Sequence, residues 1–419
     1  MNVLFIHQNF PGQFKNLAPA LVARGHQVVA LTLRDLGGSE WNGVRIAPYK
    51  IIRSSTRDIH PWVADFETKV IRGEACLQAA AGLKAGGFEP DMIMAHPGWG
   101  ESLFLKELWP KARLGVYCEF YYRSEGLDLG FDPEFPSIDA MADAARIRLK
   151  NLNSLLHFEF ADAGLSPTRF QASTFPERFS ERIAVIHEGI DTELLRPNPE
   201  VKIEITTTGG TAVKLTRADE IVTFVNRELE PYRGYHVFMR ALPELLKRRP
   251  EAKIFIVGGN SVSYGAAPDA ALYGGRSWAQ VFFDEVMPLI SSADRERVFF
   301  FGKVPYQQFM TILQLSRVHI YLTYPFVLSW SLLEAMSIGC AIVGSDTAPV
   351  REVIEQGRTG RLVNFFDGAG LVKEVSDLLD QPEERQRLGM NARAFACENY
   401  DLTRVCLPRQ IAWLEGLVS

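Results

Sequence analysis

The stretch Thr223-Phe-Val-Asn-Arg-Glu-Leu-Glu-Pro-Tyr-Arg-Gly-Tyr235 places two guanidiniums, Arg227 and Arg233, on one loop after an apolar run. Two such groups can clamp a diphosphate and neutralise the charge that builds on it as it departs. The competing reading is a pair of ordinary salt bridges with Glu228 and Glu230. A second stretch runs from Tyr321 to Cys340. It reads as a strand ending at Thr323, a loop to about Ser329, and a helix with Glu334 in its first turns. Amides at a helix N-terminus lack partners and lie at the positive end of the dipole, so the backbone around Val327, Leu328 and Ser329 can hold an anion. Glu334 can accept two vicinal hydroxyls, as a ribose presents them; its alternative role is to complement the helix dipole.

The first half of the chain offers polar groups of another kind. His7 ends the first apolar run, and Gly12 follows in a Pro-Gly turn. His96-Pro-Gly-Trp-Gly-Glu101 follows a strand and opens a helix, and Glu119-Phe-Tyr-Tyr122 ends the next strand. A carboxylate or imidazole at Glu119 or His96 can hydrogen-bond a reacting group or relay a proton. Equally, Glu119 can pair with Arg123, and His96 can be a structural histidine at a strand end. Trp99 and Tyr121 can stack on sugar faces, although aromatic residues after strands more often fill a core. No Asp-x-Asp occurs, and the histidines lack ligand spacing, so no metal site is expected. No Gly-x-Gly-x-x-Gly follows the first strand, which argues against a dinucleotide cofactor.

The elements that must position these residues are β-α units. Val3 to Ile6 is an apolar strand, Gln13 to Arg24 a helical pattern stopped by Gly25, and Gln27 to Thr32 the next strand. Asp91 to Ala95, a loop His96 to Gly100, a helix Glu101 to Leu108, and a strand Leu114 to Glu119 repeat the pattern; Arg182 to Ile186 closes the set. Continuous apolar strands alternating with helices imply a parallel sheet buried on both faces. Residues 194–220 read as a linker plus an exposed hairpin at a Thr-Thr-Thr-Gly-Gly turn. Further strands follow at Ile221 to Val225, Lys253 to Val257, Val298 to Phe301, Val318 to Tyr321 and Ala341 to Val343. At 419 residues the chain exceeds one ordinary core. The fold class is therefore α/β, with two doubly wound, Rossmann-like domains facing across a cleft. They are residues 1–197, with a final helix at 400–419 packing back on them, and residues 198–399. Ligands of such sheets sit beyond the carboxyl ends of the strands, where the residues named above lie.

Composition narrows the class. A net charge of −5 gives no basic face for nucleic acid. Five scattered cysteines form no C-x-x-C pair. No run of apolar residues is long enough to span a membrane. A cytoplasmic protein is expected, with peripheral contact at the inner membrane face left open.

Taken together, the residues resemble the family 4 retaining glycosyltransferases of GT-B architecture, in a bacterial subgroup. That family opens its second domain with Gly-Arg-x-x-x-x-Lys-Gly, occupied here by Asn226-Arg227 through Arg233-Gly234. Its other hallmark is Glu-Gly-Phe-Gly-x-x-x-x-Glu-Ala-Met-x-x-Gly, whose second half matches Glu334-Ala335-Met336 and Gly339. Ser166-Pro167-Thr168, Glu188-Gly189-Ile190-Asp191-Thr192 and Gly357-Arg358-Thr359-Gly360 match as well. The resemblance implies transfer of a sugar from a nucleotide-diphosphate donor to a glycan, lipid-linked glycan or protein acceptor, with retention and without metal. It implies donor contacts from Gly12, Arg227, Arg233, Gly302, Val304, Val327, Leu328, Ser329 and Glu334. Catalytic groups would be Glu119, His96, Arg227 and Arg233, with His7, Trp99 and Tyr121 meeting acceptor or sugar. The alternatives are a catalytically degenerate nucleotide-sugar-binding scaffold and an epimerase of the same architecture. The chain departs from the pattern where Phe326 replaces the first motif Glu, where Val327-Leu328-Ser329 replace Gly-Phe-Gly, and where the Arg227–Arg233 loop is one residue longer.

Overall fold

A computed structural model describes residues 1–206 and 209–419, and all counts refer to these residues. Thr207 and Thr208, inside the expected Thr-Thr-Thr-Gly-Gly turn, lie outside them. The chain divides into two compact units, Met1–Gly189 with Leu402–Ser419, and Ile190–Asp401.

The first unit carries strands β1 (Asn2–Ile6), β2 (Gln27–Thr32), β3 (Glu40–Trp41), β4 (Val44–Pro48), β5 (Met92–Ala95), β6 (Arg113–Tyr117), β7 (Ala163–Ser166) and β8 (Ile183–Val185). They form one sheet in the order β3-β4-β2-β1-β5-β6-β7-β8, parallel except for the β3–β4 pair. Alternation along the strands splits the core into two layers. Leu4, Ile6 and Ile93 face one layer, whereas Val3, Phe5, Met92 and Met94 face the other. The final helix, Leu407–Val418, fills the second layer with Leu414, which is fully buried, and with Ile411 and Trp413 packed beside it.

The second unit opens with an antiparallel hairpin, β9 (Lys202–Thr206) and β10 (Ala212–Thr216). Strands β11 (Ile221–Glu228), β12 (Lys253–Gly259), β13 (Val298–Gly302), β14 (Val318–Tyr321), β15 (Ala341–Ser345) and β16 (Arg361–Val363) follow. They form a parallel sheet in the order β13-β12-β11-β14-β15-β16. In each sheet the strand order reverses at one place, between β1 and β5 and between β11 and β14. Loops leaving two such strands diverge and open a crevice, the usual ligand position in these folds.

Several expectations need correction. The helix read from Gln13 to Arg24 is a 3-10 turn, Gly12–Phe14, followed by a helix at Leu17–Ala23. Pro19 is tolerated only in a first helical turn, so the helix must begin just before it. The helix read from Glu101 to Leu108 is confined to Leu105–Leu108, because Glu101 and Ser102 turn inward to bond Tyr49 and His157. Strand β6 ends at Tyr117, which leaves Glu119 in the loop. Residues 190–197 belong to the second unit, not the first. The stretch 194–220 is no free linker, since Leu195, Val201 and Leu215 are buried in that unit's core. No helix among the described residues is long and apolar enough to cross a membrane.

Candidate active site

In the second unit, Arg233 sits on a 3-10 turn, Pro231–Arg233, in the loop after β11. Gly234 closes that turn at φ +67, where a Cβ would stand 2.4 Å from the Cβ of Leu322, so only glycine fits. The Arg233 side chain is 5% exposed. Its Nη1 donates to Thr323 Oγ1 at 2.9 Å, to the Val327 carbonyl at 3.0 Å and to the Tyr321 hydroxyl at 3.4 Å. Its guanidinium also lies 5.1 Å from the centre of the Tyr264 ring. No carboxylate among the described residues forms an ion pair with it. Glu228 pairs instead with Lys303 at 2.5 Å, and Glu230 accepts from the amides of Ser263 and Tyr264. Burial raises the Glu230 carboxyl above its usual range, against the lowering effect of those amides and of Arg233. Arg227 is exposed at the end of β11 and has no partner among the described residues. Neither arginine is therefore half of the expected pair with Glu228 and Glu230. A buried cation with no carboxylate bonded to it is costly unless an anion from outside completes it.

The loop after β14 is braced by Arg233 and ends at the helix Trp330–Ile338. Ser329 caps that helix, accepting from the Ser331 amide. The Ser329 amide already donates to the Tyr321 hydroxyl at 2.9 Å, so it is not a ready donor for a ligand. The Val327 and Leu328 side chains are buried, and the Val327 carbonyl is taken by Arg233. Glu334 lies in the second turn of the helix, beyond the reach of a simple dipole role. It accepts from the Tyr306 hydroxyl at 2.8 Å. Burial and the Glu334 charge push the Tyr306 phenol well above its ordinary value, so it stays protonated and donating. Gly302, at φ +65, and Val304 precede Tyr306 at the end of β13. Phe326 is buried against Tyr264 (4.8 Å) and Tyr232 (5.6 Å), an apolar cluster where the family pattern has a carboxylate.

In the first unit, the loops after β1, β5 and β6 meet. His7 Nδ1 accepts from the Asn9 amide at 3.0 Å, which places the ring proton on Nε2, 2.7 Å from Gln13 Oε1. Gln13 in turn donates to Glu119 Oε1 at 3.4 Å. Burial, then the charge of His96, lowers His7 to about 3, against smaller raising effects of Gln13 and Glu119. His7 is thus a neutral imidazole that aims Gln13. Gly12, at φ +46, lies against the imidazole: a Cβ there would be 2.3 Å from His7 Nε2. His96 Nδ1 accepts from the Gly98 amide at 3.2 Å, so its proton is on Nε2, which points to Glu119 Oε2 at 3.6 Å and bonds nothing. The imidazole is stacked between Trp99 (4.5 Å) and Tyr117 (5.3 Å). Glu119 remains 39% exposed, a carboxylate held on two sides and open on another. Its expected partner Arg123 bonds the carbonyls of Ser173 and Thr174. Tyr121 stands apart from this group, its amide tied to Thr174 Oγ1.

The structure thus brings together Arg233 with the loop holding Val327 and Ser329, and His7, Gly12, His96, Trp99 and Glu119 as a second group. Gln13 and Tyr306 were missed by sequence reasoning. Gln13 is the one polar residue beside the Pro-Gly turn and was open to notice, whereas nothing in the sequence links Tyr306 to Glu334.

Comparison with known proteins bears on the family and the fold. A model of the glycosyl transferase family 4 group matches residues 24–195, and one of glycosyl transferases group 1 matches residues 212–395. A GDP-mannose-dependent alpha-(1-6)-phosphatidylinositol monomannoside mannosyltransferase of Mycolicibacterium smegmatis is 22% identical over 401 residues, covering 95% of this chain and 94% of its own. A D-inositol 3-phosphate glycosyltransferase of Streptomyces coelicolor is 24% identical over 226 residues, 52% of this chain. The match spans only 46% of that relative's length. Among solved structures, a sucrose-phosphate synthase from Thermosynechococcus elongatus superposes with a TM-score of 0.72 at 16% identity, over 99% of this chain and 98% of its own. Anabaena HepE, solved with UDP and glucose, gives 0.65 at 16% identity, over 99% of each chain. With two doubly wound sheets, the Arg227–Gly234 and Glu334–Gly339 motifs after the two strands at the second sheet's reversal, and matching family models along most of its length, the chain belongs to the family 4 glycosyltransferases of GT-B fold.

Proposed function

We propose that the protein transfers a sugar, with retention and without a metal ion, from a nucleoside-diphosphate sugar to a glycan, lipid-linked glycan or protein acceptor. The observation that carries the donor half is Arg233, a buried guanidinium lacking a carboxylate partner. Its Nη1 is spent on the loop after β14, while Nε and Nη2 bond none of the described residues and serve the diphosphate. Arg227 adds a second cation, and Glu334, set by Tyr306, takes the ribose hydroxyls. The bond from the anomeric carbon to phosphate breaks with its electron pair going to the diphosphate. The acceptor oxygen bonds that carbon on the same face and gives up its proton. Glu119, flanked by Gln13 and His96, is the first unit's group for contacting the sugar or taking that proton. Five free cysteines, four of them buried, suit a reducing cytoplasm. The burial of Phe326 among aromatics favours one second reading, a nucleotide-sugar binder without turnover, since the family's sugar-contacting carboxylate is gone.

Nucleotide release from a panel of nucleotide sugars tests the proposal. Arg233→Ala should lower turnover on the order of ~10²–10³-fold with an unchanged circular dichroism spectrum, and excess chelator should leave the wild type active. Near wild-type turnover in the variant sinks the clamp, loss on chelation sinks metal independence, and tight binding without release by any donor supports the binder.

A further inference from the structure

Outside the group around Glu119, the first unit has a cavity of about 790 Å³. Trp62, Tyr121, Tyr122, Arg123, Arg148 and Asn151 line it. Its frame is rigid. The Tyr122 amide donates to Asn151 Oδ1, and Asn151 Nδ2 returns a bond to the Tyr122 carbonyl. Arg123 is anchored by three bonds to the carbonyls of Ser173 and Thr174, none of them to Nη1. Lys150 places its ammonium 3.7 Å over the Tyr122 ring.

The arginines here lack direct ion pairs. Arg123 and Arg148 have no carboxylate partner among the described residues, and neither has Arg178, whose guanidinium lies over Phe179. The positive field of all three reaches the Tyr121 hydroxyl, although burial is the larger influence on that phenol and raises it. One carboxylate, Glu125, also lines the cavity, so the lining stays net positive. Planar guanidiniums are suited to bidentate contact with phosphate or carboxylate. Trp62, Tyr121 and Tyr122 add flat apolar faces beside them.

We propose that this cavity binds an anionic sugar, a ring bearing a phosphate or a carboxylate, as the charged part of the acceptor. The acceptor role rests on the proposed transferase function, while the binding itself does not.

Calorimetry on the full chain separates the two, with D-glucose 6-phosphate, D-glucuronate, inorganic phosphate and D-glucose as probes, and UDP, GDP and ADP as controls. The two anionic sugars should bind more tightly than phosphate or glucose. Arg148→Ala should weaken them roughly tenfold or more, as expected for loss of a charge-assisted contact, and Arg148→Lys should recover part of that loss. Trp62→Ala should weaken glucose 6-phosphate but not phosphate. Affinity for the nucleoside diphosphate that binds should be unchanged in all three variants. Anionic sugars binding no better than phosphate or glucose, or binding Arg148→Ala as they bind the wild type, overturns the inference. Failure of UDP, GDP and ADP alike to bind the wild type would instead count against the proposed donor, and leave the cavity result standing.

Discussion

Glu334, in the second turn of the helix after β14, and Glu119, in the loop after β6, are carboxylates in different surroundings. Glu334 is buried and holds a fixed bond from Tyr306, which suits recognition of a neutral diol. Glu119 is open, with a protonated imidazole nitrogen 3.6 Å away, which suits contact with a changing charge. Glu334→Gln should therefore raise the dissociation constant of the nucleoside diphosphate that binds (UDP, GDP or ADP) by roughly tenfold or more, the usual cost of losing a charged hydrogen-bond partner. Tyr306→Phe should act in the same direction but less. Glu119→Gln should lower turnover while leaving affinity for that diphosphate near wild type. Calorimetry and steady-state kinetics on the three variants check this; equal loss of diphosphate affinity in Glu119→Gln would contradict it. Arg227, Arg233 and Glu334 were legible as candidates because an arginine-rich loop after a strand, and an acid early in a helix, have recognisable chemistry. That Arg233 is buried without a bonded carboxylate was not legible, since Glu228 and Glu230 stand beside it in sequence and bond elsewhere in space.

At the scale of elements, the turn after β1 does more than connect. Gly12 begins the 3-10 turn that carries Gln13, and its bare α-carbon lets the backbone lie against His7. Gly12→Ala would put a methyl 2.3 Å from His7 Nε2 at a φ of +46. A side chain there costs on the order of ~1 kcal/mol in backbone strain alone, and the imidazole must move. The expected outcome is a folded protein with Gln13 displaced and turnover lowered at least as much as in Gln13→Ala. Wild-type kinetics in Gly12→Ala would show that the His7–Gln13–Glu119 chain has no part in the reaction.

The whole molecule carries a set of neutral buried histidines. Burial lowers His7 to about 3, His157 to about 4 and His319 to about 3, and lowers His187 as well. Their unfolded values lie near ~6.5. Below that pH the unfolded chain takes up protons that the folded chain refuses, so folding stability falls as pH drops from 6.5 toward 4 and is insensitive to these groups above 6.5. Each such group contributes a slope of about 1.4 kcal/mol per pH unit within its window. Glu101 and Glu230, whose carboxyls burial raises, take up protons in the folded state and offset part of the fall. The melting temperature should be level between pH 7 and 8 and decline steadily from 6 to 4.5; a rise on acidification would refute the assignment.

The sequence by itself determined the class of the molecule. Uninterrupted apolar strands separated by helical patterns can be satisfied only by parallel sheets covered on both faces, and the loops after those strands are where the motif residues fall. Local rules also fixed Gly234 as a turn and Ser329 as the start of a helix. Tertiary structure decided what depends on groups distant along the chain. It drew Glu101 and Ser102 out of a helix, moved 190–197 into the second unit, and tied His7 to Gln13. It also joined Tyr306 to Glu334 and Gln13 to Glu119. Hydrophobic periodicity is a property of neighbours in sequence, whereas hydrogen-bond partners and counter-charges are set by which loops the strand order brings together.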